Sequence, residues 1–248
     1  MRQYKFLYYP YQLYKYLVYM PLLVASTIFC GTFAALLAIF VGPRTGSFMG
    51  IVWSRFNCLV TPMPVRVFGK ENIDPKRSYI LAVNHQSQFD IFVMYGFFPQ
   101  DFRWVMKAEL RKVPFLGYSC YKIGHIFIDR KNTQAALEQI NAAKKRITGG
   151  TSVIFFPEGT RSYSGELGEF KKGAFKFALD MGLPVLPVTI IGTRNVLPNN
   201  SIDLFPGRAV MAIHKPIETA GYHDANIQEL MDLTKASIQK GLDEYGKK

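Results

Sequence analysis

The chain has few of the residues that build metal centres and disulfide frameworks. It contains 3 cysteines and 4 histidines in 248 residues. The cysteines are scattered, at Cys30, Cys58 and Cys120, with no Cys-x-x-Cys pair and no cysteine–histidine cluster. Neither a zinc site nor a disulfide framework is indicated, and a domain that faces a reducing compartment is expected. No metal and no other cofactor is predicted.

Acidic residues are scarce relative to basic ones. The chain has 18 Asp and Glu against 30 Lys and Arg, a formal net charge of +12. This excess suits nucleic acid, an anionic membrane surface or phosphorylated small molecules. No Gly-rich or aromatic RNA-binding signature accompanies it, so nucleic acid is disfavoured as a partner. Hydrophobic residues make up 49% of the chain, enough for a sizeable core.

Charge is missing altogether from one long stretch near the amino terminus. Residues 16–41 carry none, and these 26 residues exceed the roughly 20 that cross a bilayer. Before Met20 lie 7 of the 14 tyrosines, interleaved with Lys and Arg, a mixture typical of the headgroup layer. The short apolar core and small-residue cleavage site of a signal peptide are lacking, so we expect the segment to be retained.

The uncharged stretch is interrupted and then followed by a weaker apolar pattern. Pro21 breaks it near its start, and Gly42-Pro43 ends it. Residues 48–63 place apolar side chains at helical spacing, with Arg55 among them, typical of an amphipathic helix. Cations flank the run on both sides, so the positive-inside rule gives no orientation. We predict a membrane-embedded helical hairpin in one leaflet over residues 1–63, with a full span as the alternative.

The remainder, residues 64–248, alternates short apolar runs with helical patterns and is predicted to be one domain. Runs typical of buried strands occupy residues 64–68, 79–83, 102–107, 126–128, 152–156, 185–191 and 209–213. Helical patterns occupy residues 91–98, 133–148, 173–179 and 226–242. This alternation predicts an α/β fold with a mainly parallel sheet flanked by helices.

One strand end carries a histidine and an aspartate at a useful spacing. Asn84 and His85 follow the strand that ends at Val83, and Asp90 lies five positions after the histidine. A histidine that accepts a proton needs an acceptor on its other ring nitrogen, and a strand-to-helix bend can fold Asp90 back to supply it. Ser87 is a candidate cap for the next helix. A chance pairing of a structural histidine with a helix-capping aspartate is the alternative.

A second polar corner, Pro157-Glu158-Gly159-Thr160-Arg161-Ser162, follows the strand at residues 152–156. Gly159 lets backbone amides approach a ligand. Arg161 is a planar, permanent cation that suits a phosphate dianion. Taken alone, such a segment is more often an ordinary turn. In open α/β sheets, however, ligands bind at the carboxyl ends of strands, so we expect the two corners on one rim.

Together, Asn-His-x-x-x-x-Asp at 84–90 and Phe-Pro-Glu-Gly-Thr-Arg-Ser at 156–162 resemble the motifs of the glycerolipid acyltransferases. The chain also matches other blocks of that family, at residues 107–110, 124–130 and 186–188. The motifs are most similar to those of the bacterial 1-acyl-sn-glycerol-3-phosphate acyltransferases, which make phosphatidic acid. The resemblance runs from about residue 79 to residue 188.

The resemblance implies a substrate set and a location. The acceptor would be lysophosphatidic acid, acylated at its sn-2 hydroxyl. The donor would be a thioester of acyl-carrier protein (acyl-ACP) or of coenzyme A (acyl-CoA), and no cofactor would be needed. Anionic membrane lipids would be further partners, at the cytoplasmic face of the cell membrane. The alternatives are another acceptor, such as glycerol 3-phosphate or another lysophospholipid, and a non-catalytic lipid-binding protein of the membrane surface.

The resemblance also implies roles for the charged motif residues. His85 would be the general base and Asp90 its orienting partner. Lys107 and Arg161 would hold the phosphate of the acceptor. Arg130 is a weaker phosphate candidate, because an ion pair with a neighbour such as Asp129 would explain it equally well.

The rest of the second corner would bind the acceptor. Glu158 and Gly159 would line its glycerol, and Thr160 belongs to the same substrate-binding corner. No serine or cysteine lies in a Gly-x-Ser-x-Gly nucleophile elbow, which favours direct transfer over a covalent intermediate.

Overall fold

The structure is a computed structural model that describes residues 8–129, 138, 139, 142, 144, 147 and 149–246. It consists of an amino-terminal helical hairpin and an α/β domain. The strands are β1 (Val65–Phe68), β2 (Ile80–Val83), β3 (Phe102–Lys107), β4 (Ile126–Ile128), β5 (Ser152–Phe155), β6 (Val185–Ile191) and β7 (Ala209–Ile213). The helices are α1 (Tyr8–Tyr14), α2 (Met20–Phe40), α3 (Pro43–Val60), α4 (Asp90–Phe97), α5 (Leu116–Ile123), α6 (Gly173–Met181), α7 (Thr193–Val196) and α8 (Ile227–Tyr245).

The first helix is continuous from Tyr8 to Phe40, where the sequence predicted an interruption at Pro21. A π-helical turn, Lys15–Tyr19, joins α1 to α2, and Pro21 lies in the first turn of α2. Proline has no N–H to donate, and the first turn of a helix tolerates this. The π-helical turn just before Pro21 shifts the backbone hydrogen bonds by one residue, so the helix continues past the proline. Among the described residues, this 33-residue helix is the one that is long and apolar enough to cross a membrane.

The helical hairpin itself is confirmed, whereas its placement in one leaflet stays a prediction. After the turn at Gly42, α3 runs back along α2. The Trp53 indole donates to the Thr27 hydroxyl at 3.0 Å, and the Asn57 amide donates to the Ser26 hydroxyl at 3.3 Å. Paired polar contacts of this kind fix the register between the two helices.

The sheet has the strand order β1-β7-β6-β2-β5-β3-β4. Neighbouring strands are parallel except for the antiparallel pair β6–β7, so the mainly parallel sheet is confirmed. Because β6, β2, β5, β3 and β4 run in one direction, their carboxyl ends lie on one rim. Loops that leave these ends can therefore meet across β2 and β5.

Apolar layers cover both faces of the sheet. In β2, Leu81 and Val83 belong to the cluster that includes α4 and residues of the hairpin. Ile80 and Ala82 belong to the opposite cluster, with α6 and α8. Successive residues of a strand point to opposite faces, so this strand is buried on both.

Some predictions on local structure need correction. Ser87 is not the cap of α4, because Phe89 occupies that position and makes no side-chain cap bond. The Ser87 hydroxyl instead accepts from the Phe89 amide at 3.2 Å and donates to the Leu197 carbonyl at 2.8 Å. Helices α5 and α7 were not predicted, and most of the helix predicted at 133–148 lies outside the described residues. The three cysteines are free and buried.

Candidate active site

The sequence-predicted histidine and aspartate are in direct contact. His85 Nδ1 lies 2.8 Å from Asp90 Oδ2, across the bend between β2 and α4. The Asp90 side chain is fully buried, whereas 16% of the His85 side chain is exposed. Since Asp90 accepts the proton on Nδ1, the neutral ring presents Nε2 as its basic nitrogen. This is the geometry of a general base held by a carboxylate.

The buried carboxylate of Asp90 is surrounded by donors. Its Oδ2 also accepts from the backbone amides of Gln86, at 2.7 Å, and Ser87, at 2.9 Å. Its Oδ1 accepts from the Thr193 hydroxyl at 2.5 Å. Backbone and hydroxyl donors stabilise an ionised carboxylate that water cannot reach. The aspartate therefore suits the role of orienting His85 and stabilising the imidazolium form.

The second corner meets the first, as the common rim predicted. Phe156 stacks on the His85 ring, with centroids 3.9 Å apart and planes 12° from parallel. The His85 amide donates to Glu158 Oε1 at 2.8 Å, and the Ser162 amide donates to the His85 carbonyl at 2.8 Å. These contacts join the corners of β2 and β5 into one unit around the histidine.

Glu158 is the buried centre of the second corner. Its Oε2 accepts from the Gly168 amide at 2.9 Å, so each of its oxygens binds a backbone N–H. Burial raises the pKa of this carboxyl, and the two backbone donors and the nearby His85 oppose the shift. Only the remaining lone pairs of the carboxylate are left for a contact with a ligand.

Gly159 has the left-handed backbone that its residue type permits, with φ of +74°. The Lys171 side chain lies across it, since a Cβ built on Gly159 would come within 2.9 Å of Lys171 Nζ. A larger residue here would displace that lysine. Lys171 was not singled out in the sequence, where it reads as an ordinary surface cation.

The predicted phosphate-binding cations lie at the same rim. Lys107 ends β3 and is exposed, and Arg161 is half-buried in the second corner. Within the described part of the chain, neither forms an ion pair or a hydrogen bond through its side chain. Thr160 is exposed at the same turn. Arg130 lies outside the described residues.

The loop that follows Arg161 is fixed from the opposite side of the rim. The Arg194 guanidinium donates to the carbonyls of Tyr163, at 2.6 Å, and Ser164. The Gln86 side chain donates to the Gly165 carbonyl at 3.0 Å. Residues 163–165 are thereby tied both to α7 and to the histidine corner.

His125, in one of the other matching blocks, has a different environment. It is 3% exposed, its Nε2 lies 3.1 Å from the Tyr95 hydroxyl, and its Nδ1 accepts from the Trp104 amide at 3.3 Å. Burial, aided by the charge of Arg103, lowers its pKa to about 3. With both nitrogens occupied, His125 is a neutral part of the interior and has no group free for catalysis.

No group of three or more His, Cys, Asp and Glu side chains is placed to hold a metal ion in the part of the chain that the structure describes.

A family model described as Acyltransferase matches residues 64–191, which include both corners. The chain belongs to the acyltransferase family. Its fold resembles the crystal structure of the 1-acyl-sn-glycerophosphate (LPA) acyltransferase PlsC from Thermotoga maritima, with a TM-score of 0.81 and 27% sequence identity. That match covers 93% of this chain and 94% of the other, so the hairpin and the α/β domain are shared as a whole.

Curated relatives carry the corresponding name. The 1-acyl-sn-glycerol-3-phosphate acyltransferase of Saccharomyces cerevisiae is 32% identical over 92% of this chain and 77% of its own length. A 1-acyl-sn-glycerol-3-phosphate acyltransferase from Chlamydomonas reinhardtii is 30% identical over 72% of this chain. The chain spans about half of that relative, 53% of its length.

Thr193 and Lys171 are among the site residues that were missed in the sequence. Thr193 contacts Asp90 from 103 positions away, and no motif links them. Lys171 lies 12 positions after Gly159. It belongs to a Lys-Lys pair, which by sequence alone predicts only solvent-exposed lysines at the start of a helix. A strand-end rule applied to β6, as it was applied to β2 and β5, would have drawn attention to Thr193.

Proposed function

We propose that this chain transfers a fatty acyl group from a thioester donor to the sn-2 hydroxyl of 1-acyl-sn-glycerol 3-phosphate, giving phosphatidic acid. The observation that carries the proposal is the buried Asp90–His85 pair, whose open Nε2 lies on the rim that also bears Lys107 and Arg161. A base beside uncommitted cations suits an acceptor that has both a hydroxyl and a phosphate. The names of the relatives agree with it.

In the proposed reaction, His85 Nε2 takes the proton of the acceptor hydroxyl as its oxygen attacks the thioester carbonyl. The tetrahedral intermediate collapses, the carbon–sulfur bond breaks, and the imidazolium returns the proton to the leaving thiolate. Asp90 stabilises the imidazolium between the two steps. No enzyme-bound acyl group is required, because the base can activate the acceptor hydroxyl directly.

The phosphate of the acceptor would be held by Arg161 and Lys107, to which we add Lys171. Arg161 supplies a planar fork of donors, and Lys171 lies across Gly159 in the same corner. An exposed cation without a protein partner is well solvated by water, and a phosphate dianion can form charge-assisted hydrogen bonds with it without breaking an internal ion pair. Glu158 and Thr160 would complete the acceptor site by fixing and lining the turn.

The hairpin would hold the site at the surface of a membrane. Large apolar side chains on it are exposed, including Leu17 at 67%, Phe40 at 80% and Leu59 at 76%. Apolar surface of this extent marks an interface rather than a solvated helix. Both the acceptor and the product reside in a leaflet, and the net charge of +12 favours anionic lipids. We assign the cytoplasmic face of the cell membrane, where thioester donors are available.

The decisive experiment is acyl transfer by the purified full chain with anionic vesicles, using labelled acyl-CoA and acyl-ACP. The acceptors are lysophosphatidic acid, glycerol 3-phosphate and lysophosphatidylcholine. We expect the protein to sediment with the vesicles and to make phosphatidic acid. Faster transfer to glycerol 3-phosphate would identify it as the acceptor instead of lysophosphatidic acid. Binding to the vesicles without transfer to any acceptor would overturn the catalytic proposal. The ratio of rates with the two thioesters identifies the donor.

A further inference from the structure

One contact at the catalytic corner comes from a distant part of the chain. Asp90 Oδ2 receives its donors from His85 and from the amides of Gln86 and Ser87, all within the same bend. Asp90 Oδ1 receives the Thr193 hydroxyl at 2.5 Å. Asp90 and Thr193 are both fully buried. A hydroxyl this close to a carboxylate oxygen is a strong, charge-assisted donor.

The backbone around Thr193 fixes that hydroxyl in place. Thr193 follows β6, which pairs with β2 in the sheet, so it reaches the rim beside Asp90. Gly192 before it has φ of +91°, and a Cβ there would lie 2.1 Å from the Arg208 carbonyl. Beyond α7, the Leu197 carbonyl accepts from the Ser87 hydroxyl at 2.8 Å. Both ends of α7 are thus hydrogen-bonded to the bend that carries His85 and Asp90.

The two oxygens of Asp90 have different requirements. Three donors converge on Oδ2, so they fix the position of that one atom. The bond to Oδ1 defines the second point and so the plane of the carboxylate. It also supplies the only donor from outside the bend among the described residues.

We propose that Thr193 is a positioning residue for acyl transfer, which orients the Asp90 carboxylate toward His85 and keeps it ionised while the imidazole takes the acceptor proton. The inference rests on the proposed function. Without the hydroxyl, Oδ1 is a buried acceptor with no partner, so the protonated form of the His85–Asp90 pair becomes more favourable. The pair is then a poorer base at low pH. Glu158, the other titratable group beside His85, is unchanged.

The test compares Thr193→Val, which keeps the shape, with Thr193→Ser and Thr193→Ala, which differ by one hydroxyl. We expect Thr193→Val and Thr193→Ala to lower kcat about tenfold, with little change in the KM for lysophosphatidic acid. The acid limb of the pH profile should move to higher pH. Thr193→Ser should restore both values toward those of the wild type.

Thr189→Val is the matched control, because Thr189 is equally buried and its hydroxyl bonds to His214 at 2.8 Å, away from the rim. It should lower the thermal midpoint without moving the pH profile. If Thr193→Val fails to fold, the Ser and Ala pair still isolates the hydroxyl. Equal kcat and equal pH profiles in that pair would overturn the inference. Failure of the wild-type chain to transfer acyl groups would instead overturn the proposed function.

Discussion

The two sides of the rim differ in how their polar groups are satisfied. On the histidine side, Asp90 has no exposed surface and every oxygen has a donor within the protein. On the cation side, Lys107 and Arg161 have no side-chain partner among the described residues. The proposed base is therefore oriented before a substrate arrives, whereas the proposed phosphate-binding groups are left for the substrate to satisfy.

This difference follows from what each group must do. A base has to have one orientation and one protonation state, and buried hydrogen bonds supply both. A phosphate site has to exchange water for a dianion and later release a product, so permanent internal ion pairs would compete with the ligand. Changes on the histidine side should thus act on turnover, and changes on the cation side on affinity.

Loss of His85, the proposed base, should give the largest effect. We expect His85→Ala to lower kcat by about 10² to 10⁴, with a KM for lysophosphatidic acid close to that of the wild type, because the cations are untouched. Steady-state assays of acyl transfer in detergent micelles measure both constants. Turnover within a factor of about two of the wild type would show that another group accepts the proton.

Loss of a cation should act on KM. Arg161→Met should raise the KM for lysophosphatidic acid about 10- to 100-fold, the value of a charge-assisted hydrogen bond, and Lys171→Met should raise it less. Lys172→Met is the control, since Lys172 is the exposed neighbour of Lys171 at the start of α6. Equal KM values for the Arg161 variant and the control would show that the phosphate of the acceptor does not bind on this side of the rim.

The smallest effect on activity is expected at His125, whose folded-state pKa is about 3. Unfolded histidine binds a proton near pH 6.5, so stability is complete above that pH and falls as the pH drops toward 3. The loss amounts to about 1–2 kcal/mol between pH 6.5 and 5. In His125→Gln, the thermal midpoint should depend less on pH over this range, with acyl transfer retained.

A pH dependence of the midpoint identical to that of the wild type would contradict the neutral, buried state of His125. A large loss of turnover with an unchanged fold would show that His125 takes part in catalysis. The two histidines would then not differ in role as proposed.

The inner strands were predictable because they are buried on both faces. A strand of that kind is a continuous apolar run, and β6 and β7 begin and end where the sequence predicted. The passage of the first helix through Pro21 was not predictable, because local propensity gives no sign of the π-helical turn that accommodates it.

In the candidate site, too, the local features were predictable from the sequence and the contacts between distant segments were not. The spacing of His85 and Asp90 within one bend was visible because both residues belong to one local structure. The residue types of the second corner are compatible with an anion site, but taken alone they predict an ordinary turn more often, and the phosphate site stays a prediction. The contact between the corners, by contrast, depends on β2 and β5 being neighbours in the sheet, although β3 and β4 lie between them in the chain.

By itself, the sequence determined the alternation of strands and helices, the apolar hairpin and the pairing of His85 with Asp90, because these depend on neighbours along the chain. Only the tertiary structure decided that Thr193 completes the aspartate, that Glu158 holds the His85 backbone and that Lys171 lies across Gly159. These contacts join segments that the fold brings together, and pairing across a sheet leaves no local signal in the residues that it makes adjacent.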